Sequence, residues 1–97
     1  MVLNKRYKTI LLEIIKKHLP TAKVYLFGSR AIDKEQPGSD IDIALDINCE
    51  IPSLTMSKIR NEIEESIVPM KIDLVDMYTA QDELKKDILN EGILWTN

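Results

Sequence analysis

With 97 residues the chain has room for one small domain over 1–97, and its core will be thin because so short a chain buries a modest share of its surface. Hydrophobic residues at 44% and charged residues at 30% give the balance of a folded domain and exclude a disordered or fibrous chain. A net charge of -3 argues against non-specific nucleic-acid binding, which needs a broadly basic surface.

The single cysteine, Cys49, leaves no internal disulfide and gives no sign of an oxidising compartment. No stretch approaches the roughly 20 apolar residues of a membrane span, and no apolar run of signal length follows Met1-Val2-Leu3-Asn4-Lys5-Arg6. The expected location is the cytoplasm.

From Asn4 to Leu19 the apolar residues Tyr7, Ile10, Leu11, Ile14, Ile15 and Leu19 recur at three- and four-residue spacing, which predicts a helix with one buried face. Asn4 can cap it and Pro20 can stop it. Lys23 to Phe27 is short, apolar and rich in β-formers, and it ends at Gly28, so it reads as a buried strand. A helical turn from Ser29 and a polar loop from Asp33 to Gly38 follow. Asp40 to Asp46 then alternates strictly, with Asp40, Asp42 and Ala44 on one face and Ile41, Ile43 and Leu45 on the other: a second strand.

A second helix starts at Pro52-Ser53, carries Met56, Ile59, Ile63 and Ile67 as its apolar stripe, and is over by Pro69. Lys71 to Asp76 alternates like the second strand. The last helix is expected to open at Thr79 as cap, with Asp82 as the capping-box acid, and to bury Leu84, Ile88 and Leu89 before Gly92 closes it. Ile93-Leu94-Trp95 reads as a tail that packs back. The order predicts an α+β fold: a small mixed sheet with helices packed on one face.

The chemistry concentrates between Gly28 and Asp46. Asp40 and Asp42 share a strand face, about 6 to 7 Å apart along the backbone. Two like charges side by side repel, and folding alone does not reward them; a cation does. Carboxylates are hard oxygen ligands suited to Mg²⁺, whose shell substrate phosphates complete. Asp73 has the same phase in the next alternating strand, where a neighbour would stand about 4.8 Å away. Three such carboxylates can serve two metals about 3.5 to 4 Å apart. Gly28 and Ser29 sit where a strand gives way to a helical turn, the place where unsatisfied N–H groups meet a phosphate, and Arg30 adds a possible fork. Ser39, in the second Gly-Ser pair, stands with them as a candidate nucleotide contact.

Gly28-Ser29, ten intervening residues, Asp40-Ile41-Asp42 and a later strand Asp73 resemble the signature of the DNA polymerase beta-like nucleotidyltransferases. The short length, the GSR start and the GSDIDI strand are similar to their minimal nucleotidyltransferase (MNT) branch. Ala31-Ile32-Asp33 departs from the glycine that relatives often carry after the Arg. The resemblance implies that Asp40, Asp42 and Asp73 hold two Mg²⁺ ions and carry catalysis, and that Gly28, Ser29, Arg30 and Ser39 grip ATP. It further implies an antitoxin that transfers AMP from ATP to a tyrosine of a partner HEPN-domain ribonuclease toxin, with no role for membrane or direct nucleic-acid binding. Neutralisation by complex formation alone and adenylylation of a small molecule are the other readings.

Other residues read as structural. Asp46 and Asp76 fall at strand ends, as turn or cap residues. His18 suits a helix C-terminus, which favours a cation. Cys49 has no His or Cys near it in sequence to make a zinc site. Met56, Met70 and Met77 read as packing, and Trp95 as an anchor for the tail or for a partner.

Overall fold

The computed structural model describes residues 5–27 and 41–96. In chain order the elements are helix α1 (Lys5–His18), strands β1 (Lys23–Phe27) and β2 (Ile41–Asp46), helix α2 (Ser53–Glu65), strand β3 (Ile72–Asp76), helix α3 (Asp82–Glu91) and the short strand β4 (Ile93–Leu94). Among the described residues the strands form one four-stranded sheet in the order β3-β2-β1-β4. β1 runs antiparallel to both β2 and β4, whereas β2 and β3 are parallel, with α2 in the crossover between them. The expected mixed sheet is present. No described helix is long and apolar enough to cross a membrane.

The main core lies on one face. Val24 and Leu26 from β1, Ile41, Ile43 and Leu45 from β2 and Ile72 from β3 pack against Leu11 and Ile15 of α1 and Ile59 and Ile63 of α2. These are the alternate residues of the strands and the three- and four-spaced residues of the helices, as the two periods require. Helix α1 stops before Pro20, and Lys16, Lys17 and His18 in its last turn complement the helix dipole.

The single-faced packing expected of the helices holds for α1 and α2 but not for α3. Ile88 of α3 forms a second cluster with Ala44 and Met77, joined by Tyr25, Phe27, Val75 and Leu84. Those strand residues alternate with the main-core residues, so they belong to the opposite face of the sheet. Tyr25, Phe27 and Val75 make that face apolar as well, and an apolar face needs a cover.

Three local expectations are corrected. Ile67 is 57% exposed because α2 ends at Glu65. The Ser66 hydroxyl donates to the Ile63 carbonyl at 2.6 Å and accepts from the Val68 N–H at 3.2 Å, so the chain turns and Val68 enters the core instead. Thr79 does not cap α3; its N–H closes a turn onto the Asp76 carbonyl, and Gln81 occupies the cap position with no side-chain bond. Leu89 is 61% exposed, so the inner face of α3 is Leu84 and Ile88.

The tail is held to the sheet. β4 pairs Leu94 with Tyr25 and Ile93 with Leu26, and the Trp95 N–H donates to the Val24 carbonyl at 2.8 Å. The Trp95 ring packs against the main core, with the Lys8 ammonium 5.5 Å from its centroid. Trp95 is therefore the anchor of the tail.

Candidate active site

The parallel pairing of β2 and β3 sets Asp42 against Asp73 as Cα partners. Side chains at paired positions project from the same face, so two carboxylates stand about 4.8 Å apart at the backbone on neighbouring strands. Both are half-buried. Ala44, two residues beyond Asp42, is fully buried in the α3 cluster. The carboxylates thus keep access to solvent at the N-terminal ends of β2 and β3, while the sheet beyond them is covered.

On its other side Asp42 is paired with Phe27, the last residue of β1. The floor of the site therefore reads Phe27, Asp42, Asp73 across three strands. Gly28 and Ser29 follow Phe27 directly in sequence. Gly28, Ser29, Arg30, Ser39 and Asp40 lie outside the described residues, so two of the three expected carboxylates are seen together and the expected phosphate contacts are not. Among the described residues no group of three potential metal ligands occurs. Asp42 and Asp73 still fit a hard divalent cation by donor chemistry: oxygen ligands, paired in register and partly open to a substrate.

The remaining aspartates singled out in the sequence do structural work. Asp46 Oδ1 accepts from the Asn48 N–H at 2.9 Å, an Asx-turn that supports the positive φ of 64° at Asn48. Asp76 accepts twice, from the Ile51 N–H at 2.8 Å through Oδ2 and from the Tyr78 N–H at 3.0 Å through Oδ1. His18 pairs with Glu62 of α2 at 2.6 Å. Cys49 is exposed.

One feature of the site had no signal in the sequence. A cleft of about 170 Å³ opens between the second half of α2 and the start of β3, with Arg60, Met70, Lys71 and Asp73 in its lining. It is formed by segments that meet only through the α2 crossover. Asp73 also lines it, but Ile63, Val68 and Ile72 of the main core wall the cleft, whereas the Asp73 side chain shares the opposite face of the sheet with Asp42.

Residues 9–96 match the family described as Polymerase beta, Nucleotidyltransferase. A Haemophilus influenzae protein named probable protein adenylyltransferase MntA is 30% identical over 81 residues, which cover 84% of this chain and 68% of that protein. Among solved structures, one described as a toxin-antitoxin with AMP-PNP superposes with a TM-score of 0.80 at 23% identity, covering 98% of this chain and 75% of the other. A second, a tri-AMPylated Shewanella oneidensis HEPN toxin in complex with MNT antitoxin, gives 0.76 at 20% identity, covering 98% and 74%. The structural likenesses show the fold. The family match spans both aspartate strands and every described element but the first turn of α1, and on that ground the chain belongs to the polymerase beta nucleotidyltransferase family.

Proposed function

We propose that this chain is a single minimal domain that acts in the cytoplasm as an antitoxin, transferring AMP from ATP to a tyrosine hydroxyl of a partner HEPN toxin. The observation that carries the reading is the register of Asp42 with Asp73. Like charges on paired strand positions oppose folding, so their presence asks for a cation and a polyphosphate. The activity named for the Haemophilus influenzae relative and the AMP-PNP and AMPylated-toxin descriptions of the fold neighbours support the same chemistry.

In this reading Asp40, Asp42 and Asp73 hold Mg²⁺, which when bound neutralises charge on the phosphate chain. Gly28, Ser29, Arg30 and Ser39 hold the triphosphate from the β1 side. Asp73, on β3, accepts the proton of the attacking hydroxyl in this reading. A protein that neutralised its partner by binding alone would have no use for the charge pair.

The test is intact-mass measurement of the partner toxin after incubation with this protein, ATP and Mg²⁺, beside an Asp42→Asn control. A gain of one or more AMP units, absent in the control, is expected. A stable complex with no gain in mass would refute the transfer reading and leave neutralisation by binding.

A further inference from the structure

β3 is an edge strand: β2 pairs with one side of it and no described strand pairs with the other. The Ile41 N–H donates to the Lys71 carbonyl and the Met77 N–H donates to the Leu45 carbonyl, each at 2.9 Å. Odd-numbered residues of β3 therefore turn their backbone groups to β2, and Ile72 and Leu74 turn theirs outward. Such an edge is a template for a strand of another chain. The opposite edge, β4, has two residues, whereas β3 has five and no proline. The charges of this segment, Lys71 and Asp73, decide which strand it accepts.

They select a second copy of β3. In an antiparallel pair with a two-fold axis at Ile72, Ile72 faces itself, Lys71 faces Asp73 and Met70 faces Leu74. Every facing pair is complementary. Opposite charges meet on one face of the sheet, and apolar residues meet on the other, where Met70 and Leu74 are only half-buried in the single chain. An axis at Leu74 would also bring outward backbone groups together, but it sets Ile72 against Asp76 and Lys71 against Met77.

Helix α2 repeats the pattern. Glu62 turns to α1, where it meets His18 and Lys17, so Arg60 and Glu64 lie on the other flank, toward the open edge of β3. Both line the cleft together with Ile72, which puts them level with the axis. The same two-fold sets Arg60 of each copy against Glu64 of the other. Both residues are exposed, and no ion pair among the described residues engages either.

We propose that two copies of this chain associate through their β3 edges about a two-fold axis at Ile72, forming one continuous sheet with two antiparallel α2 helices packed on it. The second copy's Lys71 then brings a cation to Asp73, so each copy contributes a residue to the carboxylate pair of the other. Association needs neither ATP nor a toxin and does not depend on the transfer reading.

The experiment is sedimentation equilibrium of the full chain over a range of concentrations. The proteins compared are the wild type, Arg60→Glu, Glu64→Arg and the double variant carrying both changes, each confirmed as folded by circular dichroism. The wild type is expected to show a monomer–dimer equilibrium. Each single reversal puts like charges together at two symmetric places and should weaken the dimer at least about tenfold. The double variant exchanges the charges and should return to within about threefold of the wild type. A wild type that stays monomeric up to about 1 mM would overturn the proposal. So would a dimer indifferent to the single reversals, whose contact must lie elsewhere, and so would a double variant that fails to rescue them.

Discussion

The imidazole of His18 and the carboxylate of Glu62 meet at 2.6 Å, joining the last turn of α1 to α2. The ionised carboxylate only accepts, so the His18 Nε2–H donates. Lys17 reaches the same carboxylate at 3.2 Å. The His18 hydrogen bond first, and the Lys17 bond second, hold the Glu62 carboxyl below its usual value of 4.5. A depressed acid stabilises the fold above its unfolded value, and that contribution is lost as pH falls through the folded value. Stability owed to Glu62 should therefore be complete above about pH 5 and fade below about pH 4. Urea midpoints across that window should show a steeper acid-side fall for the wild type than for Glu62→Gln. Parallel curves would mean that solvent screens the contact of this one-third exposed carboxylate.

The Asp42–Asp73 pair predicts opposite signs for stability and activity. Neutralising one of two like charges at paired strand positions should stabilise the metal-free protein, by about 0.2–1 kcal/mol for Asp73→Asn. The same change removes the proton acceptor assigned to the acceptor hydroxyl, so AMP transfer should fall at least about a hundredfold. Thermal melts with and without Mg²⁺ make the check. Mg²⁺ and ATP should raise the midpoint of the wild type, because a ligand that binds only the folded state stabilises it, and should raise that of Asp73→Asn less. A destabilised Asp73→Asn protein would show that the carboxylate has a structural role.

Much of the fold was readable locally, and the failures share a cause. β1 runs from Lys23 to Phe27 as the β-forming run predicted, α1 ends within one residue of its expected C-terminal limit, its expected cap Asn4 lying outside the described residues, and β3 is within one residue of its limits at both ends. These elements carry their own periodicity and stop signals. Ile67 and Leu89 failed because a periodic apolar residue continues a stripe only while the helix lasts and only if a neighbour covers it. Thr79 failed because the Asp76 carbonyl and carboxylate organise that turn first. In the site, the common phase of Asp42 and Asp73 was visible, but their adjacency depends on the parallel β2–β3 pairing, which is long-range. The cleft lay further out of reach, since nothing local marks Arg60 of α2 as a neighbour of Asp73.

Gly92 closes α3 under a tight steric condition. Its N–H donates to the Ile88 carbonyl at 2.8 Å, and its φ of -73° is one that any residue adopts. The constraint is space: a Cβ there would lie 2.3 Å from the Ile88 carbonyl oxygen and 3.2 Å from that of Leu26. Both obstacles are backbone, and the nearer is the last turn of α3 itself, so that turn and its Gly92–Ile88 bond must open, and the chain must shift from Leu26, to admit a methyl group. Gly92→Ala should cost about 1–3 kcal/mol, read from chemical denaturation. Because α3 covers the sheet face that carries Asp42 and Asp73, the loosened helix should also raise hydrogen exchange at Ile88 and Leu26 before it affects α1.

Asp76 supplies the last test, of a carboxylate that shares a strand with Asp73 and none of its proposed chemistry. Its two oxygens are committed to the N–H groups of Ile51 and Tyr78, which ties the start of the α2 crossover to the exit of β3. Ile51 is 4% exposed, so its N–H has little access to replacement water. Asp76→Ala leaves that donor unpaired and should cost about 1.5–3 kcal/mol, as expected for hydrogen bonds to a charged acceptor. Asp76→Asn keeps one acceptor oxygen and should fall between Ala and the wild type. Neither change touches the Asp42–Asp73 face directly, so AMP transfer per folded molecule should stay within about threefold of the wild type, well short of the hundredfold loss expected at Asp73. Equal activity losses at Asp76 and Asp73, with the fold intact, would break the division between the structural and the chemical aspartates of β3.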